Sequence, residues 1–211
     1  MRLSPARPVR LVAGLVPAIV LLAGCAANGG GLPRFDPKAA SAAAMAEYDK
    51  NNDGTLDAKE LASCPGLKAM AVKLAKQTLT TDEVTARLTE SARYPDQLFE
   101  IPCFIWLDGR PLAQAEVTLV PEKFMGEGRK PAKGSTDDNG VVRSFKVDGL
   151  AKPGVPPGVY RLQVSKAGPA GEMIPAKFNG ETTLGCEVGP QVGAARTGAP
   201  PADPNFRLTS R

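Results

Sequence analysis

The sequence predicts an α+β protein, a small helical domain over residues 36–95 followed by an antiparallel β-sandwich over residues 98–211. Three observations support this. Residues 49–60 form an acidic loop between two stretches whose apolar residues recur at helical spacing. From Leu98 onward the apolar period changes to two, with Gly, Pro, Asn and Asp turns between the runs. Helical patterns come first and strand patterns later, an order that favours separate helical and sheet units over an alternating α/β fold.

In chain order, Arg2, Arg7 and Arg10 precede an apolar run over residues 11–22. That run is shorter than the ~20 residues a membrane-spanning helix needs, and it reads as a secretory signal over residues 1–24. It ends in Leu22-Ala23-Gly24-Cys25, which resembles the lipobox of bacterial lipoproteins. The resemblance implies cleavage before Cys25 and a diacylglycerol on its sulfur. With Ala26 rather than aspartate next, it also implies anchoring in the outer membrane. The alternative is a plain signal peptide with Cys25 unmodified. Residues 25–35, with Gly29, Gly30 and Gly31 in a row, read as a flexible tether.

Asp36 is placed to cap a helix that has Pro37 at its first position, and the Ala-rich stretch to Tyr48 has high intrinsic helicity. Ala44, Met45 and Tyr48 fall on one face. After the loop, residues 58–63 can form only a short helix before Pro65 and Gly66. Residues 67–76 read as another helix, with Leu67, Met70, Ala71 and Leu74 in phase.

The loop itself, D-K-N-N-D-G-T-L-D-A-K-E, matches an EF-hand calcium site at every position. Calcium takes six to eight oxygens. Asp49, Asn51, Asp53 and Asp57 offer side-chain oxygens at positions one, three, five and nine, Thr55 its backbone carbonyl, and Glu60 two carboxylate oxygens at position twelve. Gly54 at position six permits the tight turn. Asn-Asp-Gly is also ordinary turn chemistry, but a turn does not call for Asp57 and Glu60 at fixed distances. A partner hand is present only as a remnant. With Glu83 set at position twelve, positions one, three and five become Val72, Leu74 and Lys76, so one ion is expected. Thr80 to Glu83 also reads as a capping box for a helix carrying Val84 and Leu88, with Leu79 pairing its backbone against Leu56.

Charge excludes one class of partner. Removing Arg2, Arg7 and Arg10 from the 26 basic residues leaves 23 against 22 acidic ones, and no basic face that would mark a nucleic-acid binder. The chain also has no histidine, which removes histidine triads, histidine-ligated catalytic zinc and imidazole acid/base chemistry. The expectation is that the protein is not an enzyme.

In the second half, Phe99, Ile101, Cys103, Ile105 and Leu107 alternate with Pro102, Phe104 and Trp106, and Asp108-Gly109 turns the chain into residues 115–120 as a hairpin. Asp138-Asn139-Gly140 marks a turn before residues 141–147. Residues 158–164, 182–188 and 206–208 supply the later strands, and residues 189–204 read as a Pro/Gly/Ala-rich mobile excursion. Alternation points Cys103 and Cys186 at one core, making them the candidate disulfide. The alternative is that Cys64, Cys103 and Cys186 stay free thiols, because a bridge needs Cα atoms within about 7 Å.

The strings L-D-G-R-P-L-A-Q-A-E-V-T-L-V-P, S-T-D-D-N-G and P-P-G-V-Y-R-L-Q-V resemble the carboxypeptidase-regulatory-like, or transthyretin-like, sandwich. With the lipobox and the EF-hand, the whole chain is similar to uncharacterised bacterial lipoproteins that combine these modules. The resemblance implies a calcium-binding, lipid-anchored protein of the cell envelope. It also implies a non-catalytic, Ig-like sandwich making structural or adhesive contacts with an envelope protein or polysaccharide. Two other readings stand beside it: a calcium-responsive regulator, and a dockerin-like assembly module. By resemblance, dockerins carry aspartate where Glu60 stands.

Overall fold

The structure, a computed structural model, describes residues 32–190 and 204–211. The expected signal segment, Cys25 and most of the tether lie outside the described residues. So does the 191–203 part of the expected excursion.

The first helix, α1 (Pro37–Tyr48), begins as its sequence dictates. Asp36 Oδ1 accepts the amides of Lys38 at 2.8 Å and Ala39 at 3.3 Å, and Pro37 occupies a position that has no intrahelical amide bond to lose. The acidic loop leads into β1 (Thr55–Leu56) and the single turn α2 (Ala58–Leu61). Next comes α3 (Pro65–Lys73), which starts two residues earlier than expected because Pro65 opens it rather than merely ending what precedes it. A short strand, β2 (Leu79–Thr80), then pairs antiparallel with β1, matching Leu56 to Leu79 and Thr55 to Thr80. Thr80 caps α4 (Thr81–Ala92) through a reciprocal box with Glu83.

The strands of the second half are β3 (Cys103–Leu107), β4 (Arg110–Pro111), β5 (Glu116–Pro121), β6 (Ala132–Ser135), β7 (Val141–Val142), β8 (Lys146–Val147), β9 (Gly158–Ser165), β10 (Ala167–Gly168), β11 (Gly171–Glu172), β12 (Gly185–Val188) and β13 (Asn205–Leu208). One sheet runs β12-β9-β5-β6-β8, all antiparallel; the other runs β13-β3-β4, with β7 also on β3. Ile105, Val142, Phe206 and Leu208 of the second sheet share one buried core with Val117, Leu119, Leu162, Val164 and Val188 of the first.

Three strand expectations are corrected. Asp108 and Gly109, at φ 50° and 77°, do turn the chain, but the partner of β3 in that hairpin is β4; β5 crosses to the other sheet. The run over residues 141–147 is not one strand, since β7 pairs β3 whereas β8 pairs β6. And β13 lies parallel to β3, so the β part is not wholly antiparallel. Period-two alternation reads the same in both directions, and Phe206 and Leu208 face the core either way.

The helical layer docks on one end of the five-stranded sheet, where α3 packs against β12 and β9. Their buried residues, among them Leu56, Leu67, Met70, Leu79, Val84 and Leu88, form a cluster completed by Phe124, Met125 and Val159 from the β part. Each such buried apolar side chain contributes about 1.5–3 kcal/mol. The ring of Phe124 meets that of Tyr48 edge-on, with centroids 6.4 Å apart. Close approach is possible because a glycine stands on each side of the seam, Gly66 in α3 and Gly185 in β12. A Cβ on Gly66 would lie 2.4 Å from Val159 Cγ1, and one on Gly185 would lie 2.2 Å from the carbonyl carbon of Pro65.

Candidate metal centre

Every proposed ligand of the loop lies within the described residues. Asp49 and Glu60, at its two ends, are each 8% exposed, whereas Asn51 and Asp53 at the loop tip face solvent. Two residues take the left-handed conformation, Asn52 at φ 57° and Gly54 at φ 80°. A Cβ on Gly54 would meet nothing within 4 Å, so glycine is favoured there by backbone conformation and not by space.

Backbone amides organise the carboxylates. Asp49 accepts from Gly54 N at 2.9 Å and Asp53 N at 3.2 Å, which draws the tip back over the end of α1. Asn51 Oδ1 accepts from Asp53 N at 3.1 Å, and Asp53 Oδ1 from Thr55 N at 2.8 Å. Asp57 Oδ1 caps α2 by accepting from Lys59 N and Glu60 N, both at 2.8 Å. Glu60 reaches across the loop, taking Lys50 N at 2.7 Å on Oε1 and Asp57 N at 3.0 Å on Oε2. The far side of the loop is tied to α4, where the Thr81 amide donates to Gly54 O at 3.1 Å.

The donor set is therefore all oxygen, from Asp49, Asn51, Asp53, Asp57, Glu60 and the Thr55 carbonyl. That composition suits a hard divalent cation and not a soft one. Among the described residues, no three acidic or thiol side chains are gathered closely enough to hold an ion as they stand. The carboxylates accept from the loop amides, and each oxygen keeps lone-pair capacity beyond those bonds.

The chain matches no family model, no curated protein and no solved structure.

Of the two readings of the cysteines, the structure carries the second: Cys103 and Cys186 both face the shared core as free, buried thiols, and Cys64 is a free, buried thiol too. Burial pushes all three thiols up, Cys186 to about 12, so none is a thiolate near neutral pH. Sequence reasoning also missed three buried ionisable side chains at the seam between helices and sheet, Arg87, Glu122 and Glu187. Arg87 is paired with Glu187, and Glu122 lies near Arg161. Arg87 was detectable in principle, because it falls on the same helix face as Val84, Leu88 and Ser91. Nothing local marks Glu122, the residue that follows β5.

Proposed function

We propose that this chain is a calcium-binding protein of the cell envelope, lipid-anchored through Cys25. Its β part is then a non-catalytic sandwich of transthyretin-like, Ig-like type that makes structural or adhesive contacts. The observation that carries the proposal is the loop, with oxygen donors at all six ligand positions, left-handed Gly54 at its turn, and Leu56 paired with Leu79 behind it. A bound calcium would supply the charge that holds four carboxylates together and so orders the loop. Two sheets sharing one core support the sandwich reading, and the absence of histidine from the sequence supports a non-catalytic role.

The structural reading is favoured over the regulatory one by Phe124, Met125 and Val159. These side chains fill the hand's apolar interior, which in a sensor hand opens to expose a groove. Calorimetric titration with calcium tests the proposal. It should give one site, with a dissociation constant on the order of 10⁻⁵ to 10⁻³ M, and Glu60→Gln should remove most of the heat. Two sites, or none at millimolar calcium, would overturn it.

A further inference from the structure

Behind the acidic loop lies a group that the calcium reading does not use. Glu122 is 1% exposed, and neither of its carboxylate oxygens makes a well-formed hydrogen bond to a described residue, although the Gly66 amide and the Cys64 thiol lie close to the carboxyl. Its Cγ packs 3.2 Å from where a Cβ on Gly66 would stand, so the carboxyl is clamped between the start of α3 and the end of β5. The charged and titratable groups around it come from three elements. Arg161 of β9 places Nε 3.4 Å from Oε2 without completing a hydrogen bond. Tyr48 and Glu47 approach from the end of α1, and Cys64 from the entrance to α3, with its thiol against the Tyr48 hydroxyl.

A buried carboxylate needs donors, and this one has one imperfectly placed cation, the nearby Gly66 amide and Cys64 thiol, and a like charge in Glu47. The neutral acid needs far less. We propose that Glu122 is a proton-operated latch between the helical layer and the five-stranded sheet: the seam closes on the neutral acid and loosens when Glu122 ionises. Burial raises the Glu122 carboxyl above its ordinary value, and Arg161, the Gly66 amide and the Cys64 thiol offset only part of that. A group raised on folding stabilises the protein fully below its unfolded value, and that contribution is lost as pH rises through the folded value. The seam is therefore tightest in acid and relaxes above the ordinary carboxylate range. The inference is independent of calcium, since none of these residues is a proposed ligand.

The test is a pH series on the full chain without calcium, comparing wild type with Glu122→Gln, which keeps the shape and stays neutral. In the wild type the Glu122 carboxyl carbon should titrate above the ordinary glutamate value by NMR. Relative to the glutamine variant, the folding constant should fall tenfold for each unit by which the folded value exceeds the unfolded one. Amide protection should be lost first in α1 and α3. A carboxyl titrating at or below the ordinary value overturns the latch, as does parallel pH dependence of the two proteins. If Glu122→Gln does not fold, Arg161→Met decides: removing the cation should move the transition to higher pH, and an unmoved transition overturns the proposal.

Discussion

Arg87 and Glu187, 100 residues apart in sequence, close a two-bond fork across the seam between α4 and β12, with Nε donating to Oε1 at 2.5 Å and Nη2 to Oε2 at 3.1 Å. Both side chains are buried, and Lys73 adds a bond from Nζ to the Glu187 carbonyl at 2.6 Å. One Arg87 donor, Nη1, is buried with no hydrogen-bond partner among the described residues.

Removing Glu187 leaves Arg87 buried without its carboxylate, and removing Arg87 leaves Glu187 with only Lys73 Nζ, 3.8 Å from Oε2. Arg87→Ala or Glu187→Ala should cost about 3–5 kcal/mol in urea unfolding. The joint replacement Arg87→Met with Glu187→Leu should recover most of that loss, because the unsatisfied Nη1 and the desolvation cost disappear together. A double variant weaker than either single one would show the pair to be strongly net stabilising.

The glycine seam offers a test of space against conformation. Gly185→Ala would place a methyl 2.2 Å from the Pro65 carbonyl carbon, so roughly 3 kcal/mol should be lost, at the upper end of overpacking costs. Gly54→Ala has open space but a φ of +80°, and should cost about 1 kcal/mol. Gly180→Ala meets nothing within 4 Å and should be close to neutral, so thermal unfolding should rank the three in that order.

Calcium binding predicts a linked change in stability. At a free calcium concentration about a hundred times the dissociation constant, the unfolding free energy should rise by about 2.7 kcal/mol. Glu60→Gln should remove most of this increment while leaving the calcium-free protein folded, because a glutamine oxygen can still accept from Lys50 N. A wild type whose melting temperature ignores millimolar calcium would count against the site.

Lipidation is tested by location. Cys25→Ala should move the protein from the membrane fraction to the soluble one. Retention of a lipid-linked form in the variant would end the lipobox reading.

The helical half was legible in the sequence wherever a structural signal spans only a few residues. Asp36 and Pro37 start α1, Thr80 and Glu83 box the start of α4, and Gly54 turns the loop, each through contacts at short fixed spacings that do not depend on the rest of the fold. The pairing of Leu56 with Leu79 was also readable, because the spacing of an EF-hand remnant specifies it. Tertiary structure alone decided the remainder. Alternation told which strand residues face a core but not which sheet β5 joins or that β13 runs parallel to β3, since the side-chain period has no direction and no partner in it. The seam belongs to the same class. Gly66 against Gly185, Arg87 on Glu187 and Glu122 beside Arg161 bring together residues far apart in the chain, and only the docking of helices on the sheet makes a missing Cβ or a buried charge matter.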